Sequence, residues 1–274
     1  MATLDSPNFW VTATQPAIVY TDGSLKFMVL PVSARMNTIL RTEEELFETT
    51  VRNASVSTPF LCATNGVQYS VSNLGLADAL MGSDPVAATH TTADGLIIQR
   101  GVRKGRSAPL MFYIADNGRA GYEFGAGDPP VSAQCAMGGL GPIIINGLPY
   151  GIGNVCSMPP GCAPTGTVSA NQKNSMTQRN NATYANQQAR PAATGKTIIA
   201  VNAALGKLLI IVQPQGSVGI KFDDLKAKLM LLGCENAVFL DGSDSAMLFS
   251  NNVFHVRQGS NKNETNTIGI SFSI

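Results

Sequence analysis

The stretch KTIIAVNAALGKLLIIVQ, residues 196–213, constrains the fold more than any other part of the chain. Two apolar segments of strand length flank NAALG, and a chain that returns on itself over so short a link reads as an antiparallel hairpin. The same grammar recurs. AIVYTDGSLKFMVLPV, 17–32, reads as two strands around a TDGS turn. GLIIQRG, 95–101, and APLMFYIADNGRAGYEFG, 108–125, read as strands interrupted by glycine turns. STPFLCATNGVQYS, 57–70, reads as a strand, an Asn-Gly turn and a second strand. GGLGPIIINGLPYGIG, 138–153, reads as a strand between glycine-rich bends, with Pro142 at its start, where a missing amide donor does least harm. NAVFL, VFHVR at 253–257 and the closing TIGISFSI add further strands.

Two stretches carry helical signals. TEEELFETTVRNA, 42–54, predicts a short helix capped by Thr42, with Glu45 three residues on and Leu46 and Phe47 facing inward. In IKFDDLKAKLMLLGC, Phe222, Leu225, Leu229 and Leu232 fall at helical spacing and Gly233 ends the run. There is no βαβ repeat, no fixed-period repeat and no heptad. The expectation is α+β: a mixed, largely antiparallel sheet with a few packed helices. Residues 1–274 form one domain, with 1–54 as an N-terminal strand and helix extension. From 151 to 195 the pattern fails and proline, glycine, asparagine and glutamine dominate. This segment reads as a long loop insertion: a lid, a binding loop or a flexible excursion.

Composition excludes several classes. Apolar residues are 44% and charged residues 14% of the chain, enough to bury a core and too apolar for wholesale disorder. Net charge is +1, and the densest basic stretch, RGVRKGR at 100–106, is broken by two glycines without aromatic interleaving. It reads as a solvated hairpin tip, and nucleic acid is not expected as a partner. No apolar run reaches the ~18 residues of a membrane span. The start, MATLDSPNFWVTATQP, has neither a basic head nor an apolar middle, so no signal peptide is read. The chain is expected to be cytoplasmic as made, with a virion or another export route as the alternative. Cysteines stand at 62, 135, 156, 162 and 234, an odd number. Cys156 and Cys162 bracket SMPPG, a loop that suits a disulfide and equally a reduced pair. Oligomeric state has no signature.

No phosphate loop, HExxH, CxxC or nucleophile elbow occurs. Of the two histidines, His255 lies in the alternating VFHVR and reads as a sheet residue, while His90 in AATHTTADG is a candidate substrate contact. Carboxylates and amides remain. ENAVFLDGSDSAMLFSNN, 235–252, delivers Asp241 from an apolar strand into a glycine and serine turn. Two readings stay open: an Asx turn in which Asp241 serves its own backbone, or a reactive carboxylate held at the rim of a packed sheet. GSDSAMLF predicts a helix start capped by Ser243, whose open amides would favour an anionic guest. Asp241 and Asp244 would then divide acid and base roles. Asn65-Gly66 is a tight turn or a hydrogen-bonding pair for sugar or phosphate. Asp241, Asp244 and Asn65 also offer hard oxygens. No cofactor is required, and calcium or magnesium is the cation such a set would take.

Four blocks, in order, carry a family resemblance. CATNGVQYS, 62–70, is similar to an asparagine-glycine block before aromatics. GLGPIIINGLPY, 139–150, is similar to a glycine-proline strand ending in a polar residue and glycine. ARPAATGKTIIAV, 189–201, is similar to a Pro-Arg-Thr-Ala block followed by glycine. FDDLKAKLMLLGCENAVFLDGSDSAML, 222–248, is similar to a helix, strand and Leu-Asp-Gly-Gly block. Over residues 55–274 the chain resembles the phosphodiester glycosidase family, whose members remove a sugar from a phosphodiester or act on related sugar-phosphate linkages. The resemblance implies a carbohydrate or sugar-phosphate ligand and a hydrolase in which Asn65, Asn146, Arg190, Asp241, Asp244 and Ser245 line one cleft. The resemblance carries over Asn65, Gly66, Asn146, Asp241, Gly242 and Ser245; with the residues read from the turn itself, catalysis is expected of Asp241, Asp244 and Asn65, and substrate contact of Gly66, Asn146, Arg190, Gly242, Ser243 and Ser245. The amides after Gly242 would receive developing negative charge. Aligned on Gly195, Pro191-Ala192 stand where the family has arginine-threonine, with Arg190 one place early, and DGSDSA replaces a glycine-rich block. The rival expectations are a non-catalytic glycan-binding or structural protein of a larger assembly, such as a phage particle, and an exported glycan-targeting toxin.

Overall fold

The structure, a computed structural model, describes residues 2–13, 15, 18–43, 45–67, 69–71, 91–93, 95–105, 107, 111–150, 191–258 and 268–274. His90, Arg190, Cys156, Cys162 and most of the expected insertion, 151–190, lie outside the described residues. The strands are β1 (Tyr20–Asp22), β2 (Leu25–Pro31), β3 (Arg35–Leu40), β4 (Cys62–Asn65), β5 (Tyr69–Val71), β6 (Thr91–Ala93), β7 (Ile97–Gln99), β8 (Val102–Lys104), β9 (Phe112–Asp116), β10 (Tyr122–Ala126), β11 (Cys135–Ile145), β12 (Leu148–Pro149), β13 (Lys196–Asn202), β14 (Lys207–Gln213), β15 (Asn236–Phe239), β16 (Leu248–Ser250), β17 (Val253–Val256) and β18 (Ile268–Ser273). The helices are α1 (Phe9–Thr12), α2 (Phe47–Ser57) and α3 (Phe222–Leu231).

The hairpin at 196–213 forms as expected and sits in the middle of the larger sheet, ordered β1-β2-β14-β13-β15-β11-β7-β8. A second sheet runs β17-β16-β4-β18-β3, and β5 pairs with β6 alone. The fold is α+β, and every pairing between described strands is antiparallel.

Register explains why β13 and β14 are apolar almost throughout. Phe27, Ile211, Ile198, Phe239 and Gly141 stand abreast on five neighbouring strands. This row faces the helices: Phe222 of α3 packs on Phe239 at 4.9 Å between ring centroids, and Phe9 of α1 on Phe27 at 5.4 Å. Side chains one residue along point to the other face, where Thr197 meets Asn65 of the second sheet. A sheet covered on both faces has no solvent side, so β13 is buried at every position. Each Ile, Leu or Phe so placed contributes about 1.5–3 kcal/mol relative to exposure.

The N-terminal segment is not peripheral. Its β2 pairs with β14 inside the large sheet and its β3 with β18 in the second. Helix α2 begins at Phe47, five residues after the expected cap, and Leu46 at its start makes no side-chain cap bond. Glu45 instead accepts a hydrogen bond from the Thr50 hydroxyl at 2.7 Å, so its carboxylate is spent on the helix side chain. Pro142 lies within β11 rather than at its start, where the register against β15 shifts; a bulge tolerates the missing donor. Arg100 and Gly101, both at positive φ, form the tip of the β7–β8 hairpin, as the basic stretch suggested. Helix α3 appears where the spacing places it and ends at Gly233 in the left-handed region. His255 is a β17 residue. Cys62, Cys135 and Cys234 are free thiols, buried. No described helix is long and apolar enough to cross a membrane.

Candidate active site

The two sheets meet where β4 ends, β13 begins and β15 ends. Asn65, fully buried, closes this seam. Its amide nitrogen donates to the Asp241 carbonyl at 2.8 Å, and its amide oxygen accepts from the Thr197 hydroxyl at 2.6 Å and from the Met247 amide at 3.1 Å. Both lone pairs of that oxygen are therefore used. Asn65 is a positioning residue: one side chain ties β13, the end of β15 and the chain entering β16 to β4. The expected Asn65-Gly66 hairpin turn does not form, because β4 pairs with β16 and β18 while β5 pairs with β6. Gly66 lies against β18, where a Cβ would stand 2.3 Å from the Ile268 carbonyl oxygen, and its own carbonyl accepts the Asp241 amide at 2.9 Å.

Asp241 thus has its main chain held from both sides, by Gly66 and Asn65. Its side chain is partly exposed. Asp241 Oδ1 accepts the Gly242 amide at 2.8 Å. The Asx-type contact occurs in a residue that is only half-buried, and the two readings of this turn are not exclusive. Beyond it the expected helix is a single 3-10 turn, Ser243–Ser245, after which the chain returns to strand as β16. Pairing of Leu248 with Thr64 and of Ser250 with Cys62 takes the backbone before a second helical turn can form.

This takes up most of the amides of the anion site expected at a helix start. The Gly242 amide donates to Asp241, the Ser243 amide to the Gly195 carbonyl at 2.8 Å, and the Ser245 amide to the Gly242 carbonyl at 3.1 Å. The contact between the 195 and 242 segments is so close that a Cβ on Gly242 would stand 2.5 Å from the Gly195 oxygen, and one on Gly195 2.0 Å from the Ser243 oxygen. Glycine is required at both by this approach.

Ser243 sits at φ 59°, where a side chain is disfavoured, and it occupies a position that the resemblance gives to glycine. Ser243→Gly is expected to raise stability by about 0.5–1 kcal/mol, since relief of left-handed strain exceeds the entropy cost of a new glycine. Thermal unfolding should register this as a midpoint higher by roughly 1–3 °C.

Ser245 is buried beside the turn, and its carbonyl accepts the Gln258 side-chain amide at 2.8 Å. Asp244 is exposed. The structure does not bring Asn146 to this seam. Its amide donates to Asn236 Oδ1 at 2.9 Å, and Asn236 opens β15 whereas Asp241 follows its end. The length of the strand, about 15 Å, separates them. Asn146 and Gly147, both at positive φ, are the turn between β11 and β12. The glycine-proline part of that block, Gly141-Pro142, lies at the Asp241 end instead, abreast of Phe239 and Val238. Among the described residues no three His, Cys, Asp or Glu side chains converge where a metal could sit. With its oxygen already saturated, Asn65 adds no ligand to Asp241.

One residue of the site was not singled out from sequence. Lys196, only 1% exposed, opens β13. The β13–β15 pairing ends with Ile198 against Phe239, and Lys196 and Asp241, each two residues beyond that pair, wall the same hollow. Lys196 Nζ donates to the Ala192 and Thr194 carbonyls at 3.0 and 2.7 Å and lies 5.4 Å from the centre of the Phe222 ring. Gln213, its neighbour on β14, donates to the same two carbonyls at 2.6 and 2.9 Å. Burial pulls the Lys196 ammonium down to about 8. A hollow of about 20 Å³, the size of one water, is walled by Gly195, Lys196, Phe222, Asp241, Gly242 and Ser243.

A larger groove, of about 770 Å³, lies elsewhere, between β3, α2 and the β7–β8 turn. None of the residues expected at the active site lines it. The β3 edge it exposes is closed by side chains: Asp116 accepts the Met36 amide and Gln99 donates to the Thr38 carbonyl. Size alone does not make it the site, because the seam, not the groove, gathers the residues of the 62–70, 189–201 and 222–248 blocks.

Comparison with known proteins bears on the fold and the family. The chain superposes on the catalytic domain of zebrafish N-acetylglucosamine-1-phosphodiester alpha-N-acetylglucosaminidase, auto-inhibited by its pro-peptide, with a TM-score of 0.54 and 14% identity over 94% of this chain and 81% of that one. It superposes on a protein of Burkholderia pseudomallei with a TM-score of 0.51 and 12% identity over 91% and 74%. These similarities establish the shared fold. No curated protein sequence gives a significant match. The phosphodiester glycosidase family matches residues 77–271, more than half of the chain and inclusive of the Asp241 turn, and the chain belongs to that family.

Proposed function

We propose that the protein is a glycosidase-type hydrolase that releases a sugar from a phosphodiester or related sugar-phosphate linkage at the seam between its two sheets. The observation that carries this reading is the placement of Asp241: a partly exposed carboxylate on a strand end, its main chain gripped by Asn65 and Gly66 and one oxygen fixed by the Gly242 amide. A carboxyl group so held loses little freedom when it transfers a proton or orients water. Asp241 takes the acid–base or orienting role, and Asn65 acts through it rather than on the substrate. Ser245 keeps the role that the family resemblance suggests, Asp244 adds a second carboxylate in the turn, and Arg190, one place from the family's arginine, is assigned to phosphate. No metal is needed for this chemistry. The test is direct assay of the purified protein against a panel of sugar phosphodiesters, following release of free sugar. Turnover of at least one member is expected. Absence of turnover across the panel, by a folded protein, would favour a non-catalytic glycan-binding role, for which the altered Ser243-Asp244 turn is the supporting observation.

A further inference from the structure

The amides of Gly242, Ser243 and Ser245 are all engaged within the protein. A substrate carrying a phosphate then gains little from these three amides and is better held where a side-chain positive charge stands. Among the described residues, Lys196 is the one cation that lines the hollow shared with Asp241. It is buried, yet no described carboxylate lies within ion-pair distance of it. Two of its three N–H donors go to the Ala192 and Thr194 carbonyls. The third has no acceptor among the described residues. A buried ammonium without a counter-ion is costly, and a chain that retains one on the wall of a hollow, across from a strand-end aspartate, has placed it where an anion can offset that cost.

We propose that Lys196 is an anion-binding group of this site, its ammonium receiving one oxygen of a phosphate or comparable oxyanion in the hollow that Asp241 also lines. The proposal rests on the reading of the site as one for sugar phosphodiesters, and names the residue that meets the charged part. The hollow admits a single oxygen, so the sugar and the rest of the phosphate lie outside it, toward the exposed side of the turn. Lysine acts here as a point charge, in addition to the role proposed for Arg190, where the family's planar arginine aligns with Pro191.

Among the described residues, few titratable groups lie near Lys196. Asp241 lies across the hollow. The start of α3 brings Lys221, Asp223 and Asp224, of which Asp223 is bound to Lys226 at 2.7 Å. Asp244 on the 3-10 turn is exposed, and the 191–195 turn with Gln213 and Gln215 brings none. Because burial lowers the folded-state value of Lys196 below that of the unfolded chain, its neutral form suits the fold better. Stability from this group therefore rises with pH from about 8 toward the ordinary lysine value. Loss of anion binding over that range cannot come from unfolding driven by Lys196.

Sulfate, whose charge is constant across the range, is the probe. Calorimetric titration is expected to find one sulfate bound near pH 6.5, weakened by about tenfold or more near pH 9.5 and, at the lower pH, by about tenfold or more in Lys196→Met. If Lys196→Met does not fold, the pH comparison on the unaltered protein decides. No sulfate binding, or a weakening of less than tenfold, overturns the proposal. Sulfate binding that depends on Lys196 without turnover of any phosphodiester would sink the hydrolase reading and leave this one; turnover without Lys196-dependent sulfate binding would do the reverse.

Discussion

Asp241→Asn should leave a folded protein with almost no turnover. The amide keeps the shape of the carboxylate, and its oxygen can still accept the Gly242 amide. The main-chain bonds from Gly66 and Asn65 do not involve the side chain at all. Thermal stability is therefore expected within about 1 kcal/mol of the parent. An amide cannot take or give the proton that the carboxyl group exchanges, and such losses run to roughly 10²–10⁴ in rate. Parallel measurement of unfolding and of sugar release separates the two effects. A variant that is both stable and active would remove Asp241 from catalysis.

The second large effect concerns the fold. Asn65→Ala strips three hydrogen bonds from a fully buried position, stranding the Thr197 hydroxyl, the Met247 amide and the Asp241 carbonyl. Each abandoned group costs about 1–3 kcal/mol, so a loss of roughly 3–5 kcal/mol is expected. That is a substantial share of the ~5–15 kcal/mol that holds a domain folded. Asn65→Asp keeps the shape and the accepting oxygen but replaces the NH2 donor to the Asp241 carbonyl with a second oxygen and places a charge where water does not reach. It should be no better tolerated than alanine. Denaturant unfolding of both variants checks this. If Asn65→Ala were as stable as the parent and merely inactive, Asn65 would be a substrate contact rather than the tie between sheets.

The contrast between Asn65 and Lys196 shows what the amino-acid sequence discloses and what it withholds. Alternation and turn chemistry are local, and the elements built on them, the 20–31 and 196–213 hairpins and α3, lie where the residues predict. Asp241 was legible for the same reason: an apolar strand running into Asp-Gly marks a strand end. Asn65-Gly66 carries the local signature of a turn, yet its partners are Thr197, Asp241 and Met247, more than 130 residues away in the chain. No local pattern reports them. Asn146-Gly147 carries the same signature and is a turn, but at the opposite end of β15, since the direction in which β11 crosses the sheet is fixed only by pairing. Lys196 looked like an ordinary polar residue opening a strand. Its meaning depends on register against β15 and on the return of the 191–195 turn over it, both tertiary facts. The residues after Asp241 suggested a helix because serine and aspartate favour caps, but pairing of β16 with β4 inside the second sheet outweighs a cap contributing about 1 kcal/mol.

The most direct test of the account is a crystal structure of Asp241→Asn with a sugar phosphodiester bound. The account predicts the ligand at the seam, with the scissile oxygen within hydrogen-bond reach of residue 241 and the phosphate on the Lys196 side of the hollow. A ligand seated in the groove between β3 and α2, with the seam closed, would contradict it.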